Sequence, residues 1–158
     1  MTIAMHIRPA APQDAPEISQ LISSVAHFFT LDPSGKGAER FMVSIGAEAI
    51  GGYIRSPDFY YVVATRGATL AGVAALRDGR HLFHLFVAPE FQKHGLARKL
   101  WLALKSRAAR GVEVFTVNST PFAVLVYERL GFVVAGPKVE TNGIAFVPMT
   151  LSPKAVAG

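Results

Sequence analysis

Gln92-Lys93-His94-Gly95-Leu96-Ala97 is the stretch whose residue types and spacing best suit chemistry. An apolar run, residues 82–87, leads into it. Ala88-Pro89-Glu90 ends that run, because proline cannot donate to a strand ladder and restricts the residue before it. Helix-forming residues continue directly after Ala97. A strand, a basic glycine-containing turn and a helix start together make a site for an anion. The first amides of a helix lack intrahelical partners and lie at the positive end of its dipole. Glycine also lets a ligand come close to the main chain. Taken alone, the same pattern also fits a turn with no ligand.

Two histidines stand in the strand that feeds this turn. His81 and His84 are three residues apart, which on a regular strand puts them on opposite faces. With no cysteine in the chain and no carboxylate pair nearby, a zinc site is not expected. The lack of cysteine also removes disulfides and a thiol nucleophile, and no serine lies in a nucleophile setting.

The elements that must hold these residues follow from hydrophobic spacing. Residues 4–8 read as a short strand, and Asp14 stands ready to cap a helix carrying Ile18, Leu21, Ile22 and Val25 on one face. A loop over residues 31–37 precedes a second helix over residues 38–49, stopped by Gly51-Gly52. Residues 59–66 and 69–76 form a hairpin around Gly67-Ala68, and the fourth strand spans residues 81–87. Leu96, Leu100, Ala103 and Leu104 share the inner face of the next helix. Residues 112–118 are strand-like, Pro121 opens a short helix ending at Gly131, and residues 132–135 and 144–151 are the last strands. The order β-α-α-β-β-β-α-β-α-β-β predicts an α/β layer fold with a mixed sheet.

With 158 residues the chain forms one domain, residues 1–152, followed by a frayed tail at residues 153–158. Hydrophobic residues make up 51%, so disorder is excluded. No apolar run approaches the ~20 residues that span a bilayer, and no signal-peptide pattern opens the chain. A cytoplasmic protein without membrane contact is the expectation. The net charge of +5 favours an anionic ligand. Lys and Arg are dispersed, however, without the aromatic interleaving of single-strand binders, so no nucleic acid is expected.

The turn at residues 92–97 and the later run Tyr127-Glu128-Arg129-Leu130-Gly131-Phe132 together resemble the GNAT superfamily of acyl-CoA-dependent N-acetyltransferases. That family has a Gln/Arg-x-x-Gly-x-Gly/Ala turn and a Tyr-x-x-x-Gly-Phe ending, in this order. Ile7-Arg8-Pro9-Ala10 with Asp14-Ala15 is similar to its usual opening, so the resemblance covers nearly the whole chain. It implies a mostly antiparallel central sheet flanked by helices, acetyl-CoA as acyl donor with CoA as product, and no metal. The acceptor would be a small-molecule or peptide amine. A binder of acyl-CoA without turnover is the rival reading; a basic nucleic-acid module is a more distant one. Edge strands suit a homodimer.

The resemblance also implies roles. Gln92, Lys93, His94, Gly95, Leu96 and Ala97 would bind the CoA pyrophosphate, with Arg98 in reach of it or simply exposed on its helix. The main chain at Phe86 and Val87 would pair with pantetheine, and Asn118 would bond it or merely turn the chain. Tyr127 would serve the leaving thiolate, its alternative being a core tyrosine. The central strand has no Asp or Glu, so His84 is the candidate base, set against a histidine satisfied inside the sheet. His27, Phe28, Phe29, Asp32 and Phe41 are candidates for the acceptor pocket.

Overall fold

Residues 61–64 and 71–76 are buried without interruption, which a strand achieves only inside a sheet covered on both faces. The computed structural model, which describes residues 4–152, contains such a sheet. Its elements in chain order are β1 (Met5–Pro9), α1 (Ala15–Val25), α2 (Glu39–Ser44), α3 (Ala47–Arg55), β2 (Phe59–Arg66), β3 (Thr69–Arg77) and β4 (His81–Val87). There follow α4 (Leu96–Lys105), β5 (Phe115–Ser119), α5 (Val124–Arg129), β6 (Val133–Val134), β7 (Val139–Thr141) and β8 (Ile144–Leu151).

The strands lie in the order β1-β2-β3-β4-β5-β8-β6, with β7 paired to β8. All neighbours run antiparallel except β4 and β5. Side-chain alternation splits the interior into two layers. Val62, Ala64, Ala74 and Leu82 meet Leu100, Trp101 and Leu104 of α4. Tyr61, Val63, Val73 and Phe86 meet Ile18 and Ile22 of α1 and Ile50 of α3. The mixed, mostly antiparallel sheet flanked by helices is therefore as the sequence predicted.

Several local expectations are corrected. The single helix over residues 38–49 is two helices, and α3 runs through Gly51-Gly52 instead of stopping there. A glycine inside a helix costs about 1 kcal/mol relative to alanine. At Gly51 a Cβ would stand 3.1 Å from the movable Arg55 guanidinium and 3.9 Å from the Ala15 Cβ, an ordinary contact, so it is the packing of α3 on α1 and β2 that carries the helix through the glycines. Asp14 does not cap α1 with its side chain. Its carboxylate accepts from the Ala11 amide at 2.7 Å and pairs with Arg8 at 2.8 Å, and these bonds hold its pKa below the usual carboxylate value. The strand expected over residues 112–118 begins only at Phe115, and β7 is a further strand between the last two expected ones. The tail at residues 153–158 lies outside the described residues.

Candidate active site

The site begins with an irregularity in β4. Cα pairing with β3 runs Leu82 to Leu76 and His84 to Ala75, leaving Phe83 as an extra residue. Such a bulge breaks the period of two. Phe83 and His84 accordingly share a face, their rings stacked with centroids 4.2 Å apart, and Tyr53 of α3 packs on both. His81 bonds Thr116 Oγ1 through Nδ1 at 2.7 Å. The neighbours of Thr116, Phe115 and Val117, belong to the α4 layer, so His81 also faces the α1 side. The expectation that His81 and His84 point to opposite faces is thus corrected by one inserted residue.

Beyond the bulge the sheet parts. The parallel pairing of β4 with β5 consists of His81 with Thr116 and Leu82 with Val117. From residue 83 onward β4 has no strand partner on that side, and its main chain borders a gap. Gln92 Nε2 donates to the Val87 carbonyl at 3.0 Å, which ties the turn to the end of β4.

The turn itself has two left-handed residues. Lys93 (φ 67°) and Gly95 (φ 81°) are left-handed, and Gly95 directly precedes the first residue of α4. Left-handed residues in a turn gather successive amides into a concavity that suits negative charge. The amides of residues 93–98 meet no acceptor among the described residues. A Cβ on Gly95 would meet nothing within 4 Å, so the space above it is open.

A cleft of about 590 Å³ joins the turn to the gap. Of the residues predicted from sequence, Phe86, Val87, Gln92, Lys93, Gly95, Leu96, Ala97, Arg98 and Tyr127 line it. His94 and Asn118 are exposed and lie outside the lining; Thr120, two residues beyond Asn118, is in the wall instead. Ala123, Val126, Tyr127 and Leu130 line the cleft from α5 and its ends. Their spacing of three and four was the available signal for this face. Arg129 joins Lys93 and Arg98 as a third cation, and no Asp, Glu or His belongs to the lining. Among the acceptor candidates, Phe28 and Phe29 line the cleft, and Phe41 packs behind Phe29 at 5.1 Å. Asp32 is partly exposed and turned back on Ser34, whose amide and hydroxyl lower its pKa.

Two protonation states follow from burial. Tyr127 is 7% exposed, burial raises its pKa, and its hydroxyl has no hydrogen-bond partner among the described residues. His84 is equally enclosed and outside the cleft, with its Nδ1 at 2.5 Å from the Tyr61 hydroxyl. Burial, helped by His81, lowers the His84 pKa to about 3. Burial likewise lowers that of His81 to about 4. Among the described residues no three His, Asp or Glu side chains gather to hold a metal ion.

A family model described as an acetyltransferase (GNAT) domain matches residues 29–153. No curated protein sequence matches the chain. Among solved structures, a GCN5-related N-acetyltransferase from Rhodopseudomonas palustris is 22% identical with a TM-score of 0.76, over 96% of this chain and 98% of that one. The PaiA N-acetyltransferase of Thermoplasma acidophilum, in complex with coenzyme A, is 20% identical with a TM-score of 0.69, over 94% and 99%. A chimera of the Vibrio cholerae spermidine N-acetyltransferase is 19% identical with a TM-score of 0.65, over 98% of each chain. These structures share the fold.

Proposed function

Because the chain belongs to the GNAT acetyltransferase family and is an acyltransferase by class, we propose that it moves an acetyl group from acetyl-CoA directly to a primary amine. The observation that carries this reading is the parting of β4 from β5 above a turn whose amides at residues 93–98 are unbonded. A pyrophosphate fits those amides, with Lys93 and Arg98 beside it. The unpaired main chain at Phe86 and Val87 fits an extended, amide-bearing arm, which would add to the sheet edge as a strand does. Gln92 supports the same edge from the turn through its bond to Val87. Acetyl-CoA supplies the activated acetyl group.

Tyr127 is the residue we assign to the leaving sulfur. Reference pKa values of ~10 for tyrosine and ~8.5 for a thiol make full proton transfer uphill by about 2 kcal/mol. Burial raises the Tyr127 pKa and widens that difference. Its hydroxyl therefore acts as a hydrogen-bond donor that stabilises charge developing on sulfur. The free hydroxyl, without a protein partner, suits that part. His84 does not suit the part of base: it is enclosed, bonded to Tyr61 and outside the cleft. Its role is to fill and fix the layer beneath α1 and α3.

The test is a thermal-shift titration with acetyl-CoA, followed by thiol release with a panel of amines. Ligand at ~100 times its dissociation constant adds about 2.7 kcal/mol to stability. A clear rise in melting temperature and amine-dependent thiol release are expected. A melting curve indifferent to every acyl-CoA would end the proposal.

A further inference from the structure

The cleft has two chemically different ends. Lys93 and Arg98 make the end at the turn cationic, while Phe28 with Phe122 and Phe29 with Phe86 supply an aromatic part of the lining, which also includes Arg129. Phe28 follows α1, which packs on β3 and β4, whereas Phe122 lies between β5 and α5. Their rings meet edge to face at 5.5 Å, across the line where the sheet parts. Phe29 stands 5.8 Å from Phe86 further in. Phe28 is 40% and Phe122 73% exposed, so the aromatic end opens to solvent. An acceptor must enter from solvent; an acyl chain arriving on its thioester has no need of such an opening.

What this end lacks is equally informative. None of the lining residues is Asp, Glu or His, so nothing in the wall balances an ammonium or removes its proton. His27 stacks on Phe28 at 4.2 Å but stays outside the lining. An alkyl ammonium with a pKa of ~10.4 is neutral in only about one molecule in 2,500 at pH 7.

Building on the proposed acetyl transfer, we infer that the acceptor is an aromatic primary amine whose nitrogen is already neutral near pH 7. Its ring packs on the exposed side of the Phe28–Phe122 pair, near Phe29 and Phe86. The nitrogen bonds the acetyl carbonyl carbon and the carbon–sulfur bond breaks. One N–H proton leaves to water and the sulfur takes up a proton, giving amide and thiol.

Four amines separate the requirements: 4-methylaniline, 4-methylbenzylamine, cyclohexylamine and spermidine. We expect kcat/KM for 4-methylaniline to exceed those of cyclohexylamine and spermidine by about tenfold or more, with 4-methylbenzylamine between them. Phe122→Ala, at an exposed position, should weaken binding of 4-methylaniline to the enzyme–CoA complex, read by calorimetry, by about fivefold. Its dissociation constant for acetyl-CoA should stay within about twofold. Spermidine or cyclohexylamine used as well as 4-methylaniline would overturn the inference. So would a Phe122→Ala variant that loses acetyl-CoA affinity and keeps amine affinity. A melting shift with acetyl-CoA but no aryl preference defeats this inference alone; no shift at all defeats the acetyl-transfer reading beneath it.

Discussion

The Tyr61 hydroxyl lies 2.5 Å from His84 Nδ1, in the layer between the sheet and helices α1 and α3. Burial raises the tyrosine pKa and lowers that of the histidine to about 3, so the pair is neutral across the physiological range. In the unfolded chain a histidine titrates near ~6.5. Below that value the unfolded state binds a proton that the folded state refuses, so stability falls with falling pH. The contribution is complete above pH ~6.5 and is lost towards pH 3, at up to about 1.4 kcal/mol per pH unit. Urea unfolding between pH 7 and 4 should show this slope, and His84→Gln should reduce it to the share that His81, also lowered by burial, contributes. An identical slope in the variant would mean that His84 is not the group responsible.

His84→Ala should cost about 2–4 kcal/mol, combining a cavity with a stranded Tyr61 hydroxyl. The pH profile of kcat in the residual folded enzyme should keep its shape. Disappearance of a limb near neutral pH would instead identify His84 as the base.

Tyr127→Phe tests a hydroxyl that no described residue bonds. Stability should change by less than about 0.5 kcal/mol, because no partner is left unsatisfied. Turnover should fall about tenfold or more, with calorimetric affinity for acetyl-CoA nearly unchanged. Wild-type turnover in the variant would remove Tyr127 from the mechanism.

Gly95 is left-handed at φ 81° with open space above it. Gly95→Ala meets no protein atom, so its structural cost is the backbone one, about 1–2 kcal/mol. The added methyl would still occupy the approach to the unbonded amides. Loss of acetyl-CoA affinity should therefore exceed what the melting temperature suggests, and equal affinity in the two proteins would place the anion elsewhere.

Gly143 makes the opposite comparison. It is left-handed at φ 76°, and its Cβ would stand 2.3 Å from the Gly37 carbonyl oxygen. The Leu31 amide donates to the Gly143 carbonyl at 2.8 Å, and that of Ala145 to Phe29 at 2.8 Å. These bonds hold the chain carrying Phe28 and Phe29 against the turn between β7 and β8. Gly143→Ala should cost more stability than Gly95→Ala, about 3 kcal/mol. It should also raise KM for the amine more than for acetyl-CoA. A silent substitution here would show that the two loops are not coupled.

Local chemistry made much of this molecule legible in advance. Apolar runs marked β2, β3 and β4, and the spacing of Leu96, Leu100 and Leu104 marked the buried face of α4. Gly95 after a strand and before helix-forming residues marked the turn that precedes α4, because such a turn is defined by neighbouring residues alone. Residues 38–55 depart from expectation for the converse reason: glycine argues for a stop unless tertiary packing holds the helix, and the α1 and β2 residues on which α3 packs are decided only by the assembled fold.

By itself the sequence determined most of the order of elements, the amphipathic faces, the glycine turn before α4 and Tyr127 on the helix that shares its cleft. Only tertiary structure decided where His84 points, because one bulged residue reverses the side of a strand on which a side chain lies. It also decided that β4 leaves β5 after Leu82, that Thr120 and not Asn118 reaches the cleft, and that Phe28 meets Phe122. Each of these is a relation between segments far apart in the chain. Local spacing carries no information about such distances until the sheet is assembled.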